Sequence, residues 1–200
     1  HIGEKVNNQK HLALIILLTP LLVISLSTLT FYLGYKPSSS NNNGELIIPQ
    51  IETQNLNLLD VEGNSFSFSS GKWYLVYFDD FENKTFSLDR YKLATSLKLT
   101  LPRESHRLRR VVVYKDKMQF EKAIELKEQF PQVIFLYDEN NLFEQRITSQ
   151  LNNPYFSKSM FLIDSFSNLM EEFNVNLSFS EIFEDLKAVS YTHLRAHETV

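Results

Sequence analysis

Lys72-Trp73-Tyr74-Leu75-Val76-Tyr77-Phe78 is a short apolar and aromatic run, with Gly71 before it and Asp79-Asp80 after it. Its length and its strand-forming residues predict a buried central strand. A helical pattern follows at once. Between Thr85 and Leu99, the residues Phe86, Arg90 or Tyr91, Leu93, Ala94 and Leu97 recur at helical spacing, and Pro102 closes the segment. A strand feeding directly into a helix is the first β–α step of an α/β domain.

Downstream the pattern repeats. RLRRVVVY at 107–114 predicts a second central strand, entered through a basic turn. Residues 117–129 carry Phe120, Ala123, Ile124 and Lys127 at helical spacing and stop at Pro131. A third strand is expected at 133–137 and a short helix at 140–151. Residues 160–164 and 168–173 read as a hairpin around Ser165-Phe166-Ser167. A last helix at 178–187 places Phe179, Ile182, Phe183 and Leu186 on one face, and Ser178 with Glu181 forms a capping box. Upstream, 56–68 reads as a β-hairpin turning near Glu62-Gly63-Asn64, and 44–49 as a short extended piece ending at Pro49. The order is hairpin, β–α–β–α–β, hairpin, helix. It predicts an α/β, thioredoxin-like domain with an N-terminal β-hairpin, because a parallel segment needs helical crossovers and an antiparallel hairpin can finish its edge.

Ahead of the domain, from Leu12 to Leu33, the chain reads LALIILLTPLLVISLSTLTFYL without a charge. At 1.5 Å per residue that is enough helix for a hydrocarbon core of about 30 Å. Pro20 lies inside, which membrane helices tolerate, and Tyr32 and Tyr35 sit where an interfacial aromatic belt would be. No A-x-A-type cleavage pattern follows, and the run has no polar face for a soluble helix, so one transmembrane helix is expected. Lys5 and Lys10 before the span, against Lys36 close after it, place the amino end in the cytoplasm. The linker KPSSSNNN follows. The expected organisation is a cytoplasmic stub at 1–11, the transmembrane helix at 12–34, a linker at 35–50, the thioredoxin-like domain at 51–187 and a tail at 188–200. Because the first residue is His1, the start is expected to be trimmed.

The net charge of −4 gives no electrostatic case for nucleic acid. The chain has no cysteine, which excludes disulfides, thiolate metal sites and thiol catalysis by its own residues. With five glycines and no G-x-x-x-x-G-K-[ST], G-x-G-x-x-G, G-x-S-x-G or H-E-x-x-H pattern, phosphate-cradling loops and the common hydrolase signatures are missing. Asn83-Lys84-Thr85 and Asn176-Leu177-Ser178 match the glycosylation pattern, a three-residue match that carries no functional weight by itself.

Several pieces together resemble a known group. Tyr35-Lys36-Pro37, a polar spacer and Asn43-Gly44-Glu45-Leu46-Ile47-Ile48-Pro49 resemble the "W-x-P…N-x-G-x-L-I-x-P" opening of small single-span proteins of Gammaproteobacteria associated with cytochrome c oxidase assembly. Gly71 to Tyr77 resembles their "GKW-x-LVY" strand, His106 to Val111 their "D-R-V-x-R-V" turn, and Phe161 to Met170 their "LIDPLGNLM" hairpin. These proteins are distantly related to the Sco/SenC family of copper-insertion proteins, which the resemblance implies are thioredoxin-like in fold. The likeness runs from about residue 12 to 187 and rests on the order of the motifs. Sco-type proteins hold copper through a C-x-x-x-C pair after the first central strand and a distant histidine. By register from Trp73 those positions fall at about Asn83 and Ser87, and near Phe156. None is a soft ligand of the kind Cu(I) prefers. His1 and His11 flank the apolar run, His193 and His197 lie in the tail, and His106 alone belongs to the domain. If copper is nevertheless bound, Met118, Met160, Met170 and His106 are the ligands to consider.

Two other clusters are weighed against plainer readings. Asp79, Asp80 and Glu82 at the carboxyl end of the first central strand could hold a hard cation; the plainer reading is a solvated turn favouring a helix amino end. Arg103, Arg107, Arg109 and Arg110 with His106 could meet anionic lipid or an acidic partner; strand alternation splits them between faces, and a solvated turn is preferred. The expectation is no catalytic, cofactor or metal site, no cofactor and no enzyme activity. The segment VSYTHLRAHETV at 189–200 resembles a translated adaptor read-through and is expected to be non-native. The functional expectation is a single-pass bacterial inner-membrane protein with its domain in the periplasm, accessory to cytochrome c oxidase assembly. The expected partners are the lipid bilayer and oxidase subunits or assembly factors. The alternatives are a Sco-like copper chaperone or thiol oxidoreductase with a displaced site, and a generic envelope protein-binding module.

Overall fold

The structure is a computed structural model. It describes residues 2–32, 42–69, 71–101 and 106–197, with side chains at 14–29, 42–69, 71–101 and 106–189. The chain divides into two units, residues 1–41 and 42–200. The first contains one helix, α1 (Ile2–Tyr32), with Pro20 inside it. It takes in both the expected stub and most of the expected span. Its described side chains, Leu14 to Leu29, are all exposed. Among the described residues no helix is long and apolar enough to cross a membrane.

The second unit is built on an eight-stranded sheet of order β1-β8-β7-β4-β5-β6-β2-β3. At its centre β4 (Trp73–Phe78), β5 (Leu108–Tyr114) and β6 (Val133–Asp138) run parallel. The crossovers are α2 (Lys84–Thr100), then α3 (Lys117–Ile124), which tightens into a 3₁₀ turn at Glu125–Glu128. After β6 come α4 (Leu142–Thr148) and the one-turn α5 (Pro154–Ser157), which the sequence reading did not anticipate. The hairpin of β7 (Met160–Ile163) and β8 (Asn168–Phe173) sits beside β4, and α6 (Phe179–His197) closes the chain.

β4 is buried on both faces, as a central strand of an α/β sheet must be. Leu75 and Tyr77 enter a core with Tyr91, Ala94 and Leu97 of α2, Phe120 and Ala123 of α3, and Ile182 and Leu186 of α6. Tyr74, Val76 and Phe78 enter the opposite core with Phe143 and Ile147 of α4 and Tyr155 of α5. Period-two alternation along the strand thus serves two helical layers.

Three differences from expectation concern the sheet edges and the tail. The piece expected to end at Pro49 is a full strand, β1 (Glu45–Glu52), paired antiparallel to β8 with a register shift between Leu46 and Ile51. The domain therefore starts before residue 51, and part of the expected linker is sheet. Pro49, in a cis peptide, is tolerated because an edge strand has one side free of ladder bonds. The expected front hairpin exists as β2 (Leu58–Leu59) and β3 (Ser65–Phe66), with the turn between them, but it lies on the far edge against β6. α6 continues past Lys187 because Ala, Val, Ser, Tyr and Leu follow without Gly or Pro to stop it.

Candidate functional site

The carboxyl end of β4 is where the expected cation cluster and the two Sco-type positions meet. Asp79 continues the β4 ladder by one bond, its N–H donating to Val113 O at 3.0 Å. Phe81 then takes φ +53°, and its N–H returns to Asp79 Oδ1 at 2.9 Å. That turn delivers Asn83 as the amino cap of α2, where its side chain accepts from Phe86 N at 3.1 Å. One turn into the helix, Ser87 Oγ donates to Asp79 Oδ1 at 2.9 Å. Tyr91 OH donates to the other carboxyl oxygen of Asp79, and Tyr114 OH from the end of β5 is bonded to Tyr91 OH. The plainer reading of Asp79 is thereby corrected: the residue is 1% exposed, not a solvated turn. Burial pushes its carboxyl up from the ordinary range; the bonds from Tyr91, Phe81 and Ser87 partly offset this, and the Asp80 charge adds to it. Tyr91 and Tyr114 are pushed far up, first by burial.

Asp80 and Glu82 stay toward solvent. Asp80 is paired with Lys158, which leaves α5 in the left-handed region at φ +53°. A small cavity of about 80 Å³ lies here, lined by Asp79, Asp80, Glu82, Asn83, Phe86, Ser87 and Lys158. It has room for a few waters and is well below the roughly 300 Å³ at which organic-ligand pockets begin. Phe156 is not in its lining and is 83% exposed.

The donors do not fit Cu(I). Asn83 is spent on a cap, Ser87 on Asp79, and the remaining groups are hard oxygens and an ammonium. Among the described residues no group of three or more His, Cys, Asp or Glu could hold a metal ion. The fallback ligands are scattered. Met118 is exposed at the start of α3, Met160 is fully buried in β7, Met170 is half-buried in β8, and His106 precedes the amino end of β5. The basic cluster is also divided. Arg110 turns inward and donates to Thr95 Oγ1 and Gln132 Oε1, while Arg107 is exposed and Arg109 half-buried. Arg103 lies outside the described residues.

Sequence reasoning missed Lys158 and the Tyr91–Tyr114 pair. Tyr91 was legible as a core-facing residue, and a buried phenol needs a partner; that requirement was the available signal. Lys158 had none, since its role depends on a loop nearly eighty residues from Asp80.

The fold and site define a thioredoxin-like α/β domain without thiols. Solved structures of the same class include apo Sco1 of Thermus thermophilus, with a TM-score of 0.56 at 14% identity, covering 76% of this chain and 99% of that one. Yeast Sco1 with copper bound gives 0.53 at 17%, covering 80% and 95%. The PrxQ protein of Xylella fastidiosa gives 0.50 at 18%, covering 76% and 99%. At these identities the likeness establishes the fold, which is the one the sequence resemblance implies. No family model matches the sequence, and no curated protein matches it either.

Proposed function

We propose that this chain is a membrane-anchored, accessory protein of cytochrome c oxidase assembly that works by protein contact and does no metal or redox chemistry of its own. The observation that carries the reading is the conversion of the β4–α2 corner. The positions that the Sco resemblance assigns to the cysteine pair are occupied by a helix cap and by a serine bonded to a buried carboxyl. The Sco-like fold supports the connection to oxidase assembly. The uncharged run from Leu12 to Leu33 supports the anchor on sequence grounds, since a run of that length would measure about 33 Å if helical throughout. Thr19 and Thr28 suit such a setting, because their hydroxyls donate to the Ile15 and Ile24 carbonyls at 2.7 and 2.8 Å. The charge asymmetry of Lys5 and Lys10 against Lys36 supports a periplasmic domain, and the sequence resemblance supports a gammaproteobacterial source.

The test uses the full chain in mild detergent. Expected are co-purification of oxidase subunits from native membranes above a tag-only control, and no Cu(I) binding that competes with a chromophoric chelator. Tight one-to-one Cu(I) binding, or a pull-down without oxidase subunits, overturns the reading.

A further inference from the structure

The approach to β1 is held by two buried carboxyl groups remote from the β4–α2 corner. Glu171 on β8 is fully buried, and Asp185 on α6 is 3% exposed. Asn42 Nδ2 donates to Glu171 Oε1 at 3.1 Å. Asn43 Nδ2 donates to Asp185 Oδ1 at 3.2 Å, and Gly44 N–H donates to Asp185 Oδ2 at 2.7 Å. The fit is close: a Cβ on Gly44 would lie 2.7 Å from the Phe173 ring and 2.8 Å from Glu171 Oε1. One oxygen is left over, because Glu171 Oε2 is buried and receives no hydrogen bond. An ionised Glu171 would face an ionised Asp185 across a dry interior. A proton on Glu171 removes one of the two charges, and it can be donated toward Asp185. Two buried carboxyl groups held to one short segment resist carrying two charges.

We propose that Glu171 keeps its proton near neutral pH, and that this proton keeps the 42–44 segment fastened to β8 and α6, so that losing it loosens the start of the domain. Among the described residues no lysine or arginine is ion-paired to Glu171 or Asp185. Opposite Glu171 the neighbouring strands present Leu46 and Leu162. On α6, Glu184 and Lys187 are exposed, and the Glu181 carboxylate is turned to Ser178. α2, packed against α6, carries Arg90, whose guanidinium lies over Tyr77 and donates to the Lys158 carbonyl. Burial first, and the Asp185 charge second, push the Glu171 carboxyl up to about 7. The fastening therefore responds to pH changes around neutrality, closed below and loosened above.

The test is amide hydrogen exchange of the full chain in detergent, corrected for the intrinsic pH dependence of exchange. Protection at Gly44 N–H is expected to fall about tenfold between about pH 6 and about pH 8, one unit either side of the midpoint. In Glu171→Gln, whose amide stays neutral and can donate to Asp185, the protection found at the lower pH is expected to persist at the higher. Equal protection of the unaltered chain at both pH values, or an unchanged drop in Glu171→Gln, overturns the proposal. Should that variant not fold, the ¹³C titration of the Glu171 carboxyl decides. A midpoint near 7 supports the retained Glu171 proton, and one in the ordinary carboxylate range overturns it.

Discussion

Asp79 is a buried carboxyl that ties the end of β4 to the first turns of α2. It collects hydrogen bonds from Ser87 Oγ, Tyr91 OH and Phe81 N–H while 1% exposed. Removing the acceptor takes a hydrogen bond from all three at once, while Ser87 Oγ keeps Asn83 O and Tyr91 OH keeps Tyr114 OH; each lost bond costs about 0.5–1.5 kcal/mol. Asp79→Ala is therefore expected to destabilise the chain by about 2–3 kcal/mol, read as a lowered urea midpoint at unchanged slope. An effect under about 1 kcal/mol would mean that Tyr91 and Ser87 find other partners. The identity of Asp79 was plain in the sequence, but its burial was not. Two adjacent aspartates after a strand read as a turn, and only the packing of α2 over β5 tells the inward one from the outward one.

At the scale of elements, α2 is positioned by its first turn. It has no acidic residue there, so the Asn83 cap is the device that satisfies an amino-terminal N–H. Asn83→Ala is expected to cost about 1 kcal/mol, and Asn83→Asp close to nothing, measured by thermal or urea unfolding. If alanine proves neutral, the register that matches Asn83 to a Sco-type cysteine has no structural consequence here. The capping box of α6 was read correctly: Ser178 N–H donates to Glu181 Oε2 at 2.8 Å. So was the β7–β8 hairpin, whose turn closes with Ser167 N–H on Asp164 O at 3.1 Å. Such elements are legible because their determinants lie within four or five residues of each other. β1 was not, since its strand character comes from β8, more than a hundred residues away, and its own sequence contains a proline.

For the whole molecule, the strongest expectation concerns pH. Glu171 titrates near 7 in the folded chain against an ordinary 4.5. Between those values the folded state holds a proton that the unfolded state has released, so stability falls as pH rises through the window and levels off above it. Asp79 and Asp138, both raised by burial, act in the same direction. Glu171 alone can contribute up to about 3 kcal/mol, at 1.36 kcal/mol per pH unit. Unfolding free energies measured across about pH 4.5–7.5 are expected to decline, and Glu171→Gln to flatten most of that decline. A rising profile would place the Glu171 carboxyl in the ordinary range and remove the basis for its retained proton.

The sequence by itself determined the central strands, the crossover helices, the second hairpin and the absence of thiol chemistry. Each is written in local periodicity, in capping and breaking residues, or in composition. Only the tertiary structure decided that β1 and the β2–β3 hairpin take opposite edges of one sheet, that Asp79 is buried while Asp80 meets Lys158, and that Glu171 faces Asp185. Those outcomes depend on which distant surfaces are brought together, and a side chain's charge and hydrogen bonds are set by neighbours that the chain reaches only after folding.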